Sequence, residues 1–248
     1  MKAIEKLGYN YRTFDPAKKN LIDLINYKPD VIFNSLHGKD GEDGKIQSYF
    51  EYFKIPYTHS GVLSSMNCMD KIISKKIFKK NKLLTPKYFY LSREKYDIKL
   101  LFRFIKLKKI SFPIIVKPSN EGSSIGVKIC KNYIELKKIS GQLFKSYKTL
   151  IFEKFIGGQE IQVAVMKGKA LGAIELKPKR KFYDYKAKYL RSSKTAHVMP
   201  AAISKKKYNE VLKLSEKAHK ALNCRGVSRC DFKFENNKFY LLEINTQP

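Results

Sequence analysis

The sequence predicts a mixed chain, α/β at its start and α+β beyond, with its units stacked in series. Three observations predict it. Near the start, short apolar runs alternate with helical patterns, as across residues 29–53. Further on, apolar strands arrive in pairs around tight turns, which marks hairpins rather than long crossovers. The 248 residues, 43% hydrophobic and 29% charged, have a globular composition and enough length to bury a sizeable core.

The elements follow in order. Residues 2–7 read as the end of a helix closed by Gly8, since glycine favours the left-handed position after a last turn. An α/β unit normally begins with a strand, so a strand and turn are expected ahead of this helix. A strand over 9–14 and a helix around 16–27 come next, and Pro29 precedes a buried-strand run, Val31-Ile32-Phe33. Gly41-Glu42-Asp43-Gly44 opens a helical pattern over 46–53, followed by Ile55-Pro56-Tyr57. A longer helix covers 70–80. Strand 112–117, a small-residue loop over 118–125, strand 126–130, helix 133–144 and strand 150–155 form one unit. Strands 161–166 and 170–176 join through Lys167-Gly168-Lys169. A basic, tyrosine-rich loop (178–195), a helix over 205–222 and a hairpin over 226–245 complete the chain.

The formal net charge of +29 raises the question of polyanionic partners. The lysines are spread along the whole chain, and Lys75, Lys76, Lys79 and Lys80 read as an exposed helix face. Arginine, the usual reader of base edges, is scarce. A solvated lysine surface accounts for most of the excess, and a nucleotide is a better expected partner than a nucleic acid. No apolar run approaches the ~18 residues of a membrane span. Residues 1–10 carry no apolar signal-peptide core. Cys68, Cys130, Cys224 and Cys230 show no metal-ligand spacing and read as buried free thiols of a reducing compartment, the cytoplasm.

Three clusters carry chemistry. The loop Lys117-Pro118-Ser119-Asn120-Glu121-Gly122-Ser123-Ser124-Ile125-Gly126 offers backbone amides, hydroxyls and a point charge to an anion, without Walker A spacing. A plain Gly-Ser hairpin loop would look the same. The final hairpin places Arg229 and Asp231 on one strand face, and Glu243 and Asn245 on one face of the next. Cys230, Phe232, Phe234, Leu242 and Ile244 then point into a core. Two carboxylates and an amide oxygen suit Mg²⁺ rather than Zn²⁺; the alternative is a solvated sheet face. Sharing a metal requires Asp231 opposite Glu243. A three-residue turn, 236–238, achieves this; a two-residue turn sets Asp231 opposite Leu242 unless a bulge compensates. Third, Glu153 and Glu160 bracket a strand end and a Gly-Gly turn, where they could embrace an adenosine or simply be strand-end charges.

Taken together, the motifs resemble one family. Asn34-Ser35-Leu36-His37-Gly38, Gly41-Glu42-Asp43-Gly44, Met69-Asp70-Lys71, Ile115-Val116-Lys117-Pro118, Glu121-Gly122-Ser123-Ser124-Ile125-Gly126, Phe182-Tyr183-Asp184-Tyr185-Lys186-Ala187-Lys188-Tyr189 and Glu243-Ile244-Asn245-Thr246-Gln247-Pro248 look like the D-alanine–D-alanine ligases of the ATP-grasp superfamily. The resemblance covers nearly the whole chain in the family's order. It implies an ATP-grasp fold, with an N-terminal substrate unit over 1–68, a lid subdomain over 69–155 and a C-terminal subdomain over 156–248.

The resemblance also implies roles. Lys71 and Lys117 would hold ATP phosphates, helped by Ser123, Ser124 and Lys188. Glu153, Lys154, Phe155 and Ile156 would receive the adenine edge, Glu160 the ribose hydroxyls, and Phe182 and Leu242 would line the nucleotide site. Asp231, Glu243 and Asn245 would bind two Mg²⁺ or Mn²⁺ ions. Arg229 would stabilise the acyl phosphate and the tetrahedral intermediate. His37 would lie near the first substrate's carboxylate, Tyr189 with Ser123 would orient the catalytic centre, and 178–195 would close over it. The implied partners are two molecules of D-alanine and a second copy of the chain in a homodimer, with no nucleic acid and no membrane.

Two departures accompany the resemblance. The family begins with a strand and a glycine-rich turn whose Ser-Glu pair grips the first substrate's ammonium, and it continues past the Pro248 position with segments that bind the second substrate. The chain therefore reads as a fragment at both ends, expected to bind nucleotide and to ligate poorly. Another ATP-grasp carboxylate–amine ligase would share Lys117 and the metal hairpin but not the Tyr-Asp-Tyr-Lys-Ala-Lys-Tyr loop. A D-lactate-using relative is disfavoured by Tyr189. A basic nucleic-acid-binding protein is supported by net charge alone.

Overall fold

The computed structural model describes residues 2–122, 124–177 and 195–248. Its regular structure is built around two antiparallel sheets, each covered by helices on one face.

The N-terminal region departs most from expectation. Helix α1 (Lys2–Lys6) buries no residue, and α2 is confined to Asp23–Asn26 within the segment expected to be helical over 16–27. Residues 9–14 form no strand, and 31–33 contribute only an isolated parallel bridge, Ile32 to Tyr57. A strand exists by virtue of its ladder partner, and Ile32 is the one residue of these runs that finds one among the described residues. Leu24, Ile46 and Phe50 make a small core here. Helix α3 (Lys45–Tyr52) starts at Gly44, whose φ of +96° suits glycine, and the Gln47 side chain accepts from the Gly44 N–H at 3.1 Å.

Two helices run end to end where the sequence suggested one. Helix α4 (Val62–Met69) has no counterpart among the expected elements; α5 (Lys71–Lys80) follows it directly. Asp70 separates them in an extended conformation, and its carboxylate accepts from the N–H groups of Ile72 (2.8 Å) and Ile73 (3.1 Å). That cap stops one helix and starts the next.

The first sheet has the order β1-β4-β2-β3, from β1 (Tyr88–Ser92), β2 (Ile114–Pro118), β3 (Lys128–Cys130) and β4 (Thr149–Lys154). Strand β1 and helix α6 (Ile98–Lys108) were not legible as distinct elements; α6 and α7 (Tyr133–Ser146) cover one face. Period-2 alternation sends Ile114 and Val116 of β2, and Leu150 and Phe152 of β4, into that helical core. The intervening Lys117 and Glu153 therefore point the other way.

The second sheet has the order β7-β6-β5-β8-β9, from β5 (Gln159–Met166), β6 (Lys169–Lys177), β7 (Ala196–Val198), β8 (Val227–Glu235) and β9 (Lys238–Asn245). Helix α8 (Lys205–Ala221) packs Val211 and Ala218 onto Ile161, Val163, Phe232 and Leu241. Phe78 of α5 and the following Leu83 join this core, so α5 is seated on the second sheet while facing the first.

The final hairpin resolves its register in an unexpected way. Its turn has two residues, Asn236 and Asn237, both with positive φ as a type I′ turn requires. Such a turn alone would set Asp231 against Leu242. A bulge between Asp231 and Phe232 shifts the ladder, so Phe232 pairs with Leu241 while Asp231 pairs with Glu243. Leu241, not Leu242, fills the core.

Candidate active site

The sheet faces turned away from the two helical cores enclose a cleft of about 850 Å³, its open mouth included. The first sheet contributes Ile115 and Lys117 from β2 and Glu153 and Lys154 from β4. Phe155 and Ile156, in the linker to β5, form one end. The second sheet contributes Glu160, Asp231, Lys233, Leu242 and Glu243, and α5 contributes Lys71. Ser124 and Ile125 of the small-residue loop line the cleft as well. Eleven of the expected residues thus share one cleft: Lys71, Lys117, Ser124, Glu153, Lys154, Phe155, Ile156, Glu160, Asp231, Leu242 and Glu243. Leu242 reaches it because the bulge turns two successive residues, 242 and 243, to the same side.

Glu153 is the hub. Its Oε2 lies 3.0 Å from Lys117 Nζ and its Oε1 2.9 Å from Lys75 Nζ, and all three side chains are buried. Burial by itself raises the carboxyl pKa; the facing Lys117 and Lys75 ammoniums outweigh that and hold it below the ordinary value. Burial also drives the Lys75 pKa down to about 8, against the opposing pull of Glu153. Lys75, read from sequence as an exposed lysine, is fully buried. The cue was its spacing: four residues after Lys71, it shares that residue's helix face.

A second set of ion pairs ties the loop, helix and hairpin together. Lys71 Nζ donates to the Glu121 carbonyl at 2.6 Å and lies 3.3 Å from Glu243 Oε2. Lys233 Nζ lies 3.0 Å from Glu160 Oε2. Arg229 grips Asp231 with two bonds, Nε to Oδ1 at 2.7 Å and Nη2 to Oδ2 at 3.0 Å. The Asn245 amide donates to Asp231 Oδ2 at 3.3 Å.

A smaller cavity adjoins the first, lined by Glu42, Lys71, Gly122, Glu243 and Asn245. Glu42 accepts from the Gly38 N–H at 2.9 Å, and burial raises its pKa. His37 is exposed beside it and does not line either cavity. The loop bearing His37 is fixed to the chain's other end: Asn34 Nδ2 donates to Gln247 Oε1 at 3.0 Å, and Gln247 Nε2 donates to the carbonyls of Asn34 and Leu36. Glu42 and Gln247 belong to the family-like motifs, yet the sequence alone assigned neither a role. Ser123, Phe182, Lys188 and Tyr189 lie outside the described residues.

For a divalent ion, the donor chemistry fits. Asp231, Glu243 and Asn245 are hard oxygen donors on one face of one hairpin, with the two carboxylates in register. Among the described residues, no cluster of three or more His, Cys, Asp or Glu side chains forms a metal cage, so the amide is needed to complete a set. Cys68, Cys130 and Cys230 are buried and Cys224 is half-buried; all four thiols are free. No helix among the described residues is long and apolar enough to cross a membrane.

Two helix-backed antiparallel sheets closing on a lysine- and carboxylate-lined cleft define the ATP-grasp fold. The D-alanine–D-alanine ligase of Bacillus anthracis complexed with ATP has it too: it superposes with a TM-score of 0.77 at 32% identity, over 92% of this chain and 72% of that one. The VanG D-Ala:D-Ser ligase of Enterococcus faecalis superposes with a TM-score of 0.78 at 30% identity, over 88% and 64%. A family model described as the D-ala D-ala ligase C-terminus matches residues 77–248, and one described as the N-terminus matches 9–60. The D-alanine–D-alanine ligase of Pelagibacter ubique is 52% identical over 247 residues, all of this chain and 80% of that protein. That of Zymomonas mobilis is 40% identical over 255 residues, covering 77% of its own length. The chain belongs to the D-alanine–D-alanine ligase family.

Proposed function

We propose that this chain joins two molecules of D-alanine into D-alanyl-D-alanine, driven by ATP, for peptidoglycan precursor synthesis. The observation that carries the reading is convergence: Lys117, Glu153 and the opposed Asp231–Glu243 pair come from separate strands of two sheets and meet in one cleft.

In this reading the triphosphate lies along the small-residue loop. Lys117 and Lys71 face its oxygens, with Ser123, Ser124 and Lys188 as further donors. The adenine edge meets 153–156 and Leu242, with Phe182 on its far side, and Glu160 takes the ribose hydroxyls. The first D-alanine, its carboxylate near His37, attacks the γ-phosphorus in line. The bond from that phosphorus to ADP breaks and an acyl phosphate forms. The lysines are positioned before reaction, so they stabilise the spreading phosphoryl charge without reorganising. The amine of the second D-alanine then attacks the acyl carbon, and Arg229 faces the oxyanion of the tetrahedral intermediate. Inorganic phosphate departs with the acyl–oxygen electron pair, and the amine loses a proton. An oxyanion donor of this kind is worth about 3–4 kcal/mol of barrier. Ser123 and Tyr189 orient the reacting groups, and 178–195 closes over them to exclude water.

Asp231, Glu243 and Asn245 would hold two Mg²⁺ or Mn²⁺ ions, which supply positive charge to the phosphate oxygens. The working form is a cytoplasmic homodimer.

The test is direct. With Mg-ATP and D-alanine, the purified chain is expected to bind ATP and to yield D-alanyl-D-alanine, detected by mass spectrometry, only slowly and in step with phosphate released. Failure to bind ATP, or dipeptide formation without ATP, would refute the assignment.

A further inference from the structure

Lys75 stands outside the roles assigned above. Its ammonium is fully buried, does not line the cleft, and touches three groups: Glu153 Oε1 at 2.9 Å, Thr85 Oγ1 at 2.7 Å, and the Tyr88 ring at 5.4 Å from its centroid. Burying a charge in that position is costly unless a partner requires it. The partner is Glu153, whose other oxygen lies against Lys117.

We infer that Lys75 is a positioning residue for nucleotide binding, one that balances Glu153 so that Lys117 keeps its positive charge available to phosphate. Lys75, Glu153 and Lys117 together carry one net positive charge, and the half of the group facing the cleft is Lys117. Remove Lys75, and a buried carboxylate and a single ammonium neutralise each other in a low-dielectric setting. A phosphate oxygen must then compete with Glu153 for Lys117. Thr85 and the Tyr88 face hold the Lys75 ammonium on the far side of Glu153, so it cannot swing into the cleft and bind phosphate itself. The helix spacing serves the same division: Lys71 points to the loop and hairpin, while Lys75, one turn on, points to β4.

The inference rests on the nucleotide reading of the cleft, and the experiment separates the two. Calorimetric titration of the full chain with ATP and with adenosine is compared across wild type, Lys75→Met and Lys75→Met/Glu153→Gln. The readout is the ratio of ATP to adenosine affinity, which a purely structural role for Lys75 would leave alone. Lys75→Met is expected to lower that ratio about tenfold, because the phosphate then shares Lys117 with the carboxylate. The double variant, which also removes the competing carboxylate, is expected to restore the ratio to within about threefold of wild type. An unchanged ratio in a folded Lys75→Met overturns the inference, as does a double variant no better than the single. If Lys75→Met fails to fold, the double variant decides, because it carries no unpaired buried carboxylate: wild-type-like ATP preference supports the inference and its loss overturns it. Wild type that binds neither ligand overturns the nucleotide reading itself.

Discussion

Asp231 and Glu243 stand opposite each other on neighbouring strands, although the turn joining those strands has only two residues. One bulge reconciles the tight Asn236-Asn237 turn with a shared carboxylate face, and the residue it displaces, Leu242, becomes part of the cleft wall. The arrangement gives β9 two successive cleft-facing residues, which unbroken pleating forbids.

The opposed carboxylates should act together on a divalent ion. Glu243→Gln removes one of two anionic donors while keeping shape. The Mg²⁺ concentration for half-maximal phosphate release should rise by about tenfold or more, the scale on which ligand charge tunes such sites. A magnesium titration of the initial rate checks it; an unchanged midpoint would remove Glu243 from the donor set.

Glu153 should matter as much to stability as to binding. Glu153→Ala leaves the buried Lys75 and Lys117 ammoniums facing each other without a counter-charge. Breaking such a pair from one side costs about 3–5 kcal/mol. Urea unfolding at neutral pH measures the loss, and Glu153→Ala is expected to lose more than Lys117→Ala, which leaves Glu153 still paired to Lys75.

Gly158 joins the two sheets at a close approach. Its φ is +68°, and an added Cβ would lie 2.1 Å from the Phe234 carbonyl oxygen. Neighbouring Gly157 donates to Glu235 Oε1 at 2.8 Å, so the linker is pinned to the tip of β8. Gly158→Ala should cost more than about 2 kcal/mol, from left-handed backbone strain and backbone displacement together. A Gly141→Ala control, in a helix with open space around it, should be neutral or stabilising. Thermal denaturation of the two variants provides the comparison.

Lys75 should leave a signature in the pH dependence of stability. Its folded pKa is near 8 against an ordinary 10.5, so the unfolded chain binds more protons than the folded one between those values. Stability from this group therefore rises with pH across that window, by up to about 1.4 kcal/mol per pH unit. The difference in unfolding free energy between wild type and Lys75→Met should grow in favour of wild type from pH 8 to 10.5. A difference flat across the window would contradict the buried charge.

Local and periodic features are legible in the amino-acid sequence alone. Alternation gave the face of β8, so Asp231 could be set against the apolar Cys230 and Phe232 beside it; the cleft-facing direction of Lys117 and Glu153 emerged only from the packing of β2 and β4. The glycines around the loop and the Asn-Asn turn marked where the chain reverses, and the ordered motifs identified the family. Tertiary structure decided what local patterns cannot carry. In Lys71-Ile72-Ile73-Ser74-Lys75-Lys76, Lys75 and Lys76 are alike by type, and only Glu153, arriving 78 positions later on another strand, buries the first and leaves the second at the surface. The Asn34–Gln247 bonds join positions 213 residues apart. Strand formation at 9–14 and 31–33 depended on ladder partners rather than on composition. The bulge beside Asp231 was set by packing, because Leu241 and Ile244 must both reach the core while Glu243 faces the cleft. A side chain's own pattern states which way it can point; what it meets there depends on residues brought in from elsewhere in the chain, and burial and charge pairing follow from that meeting.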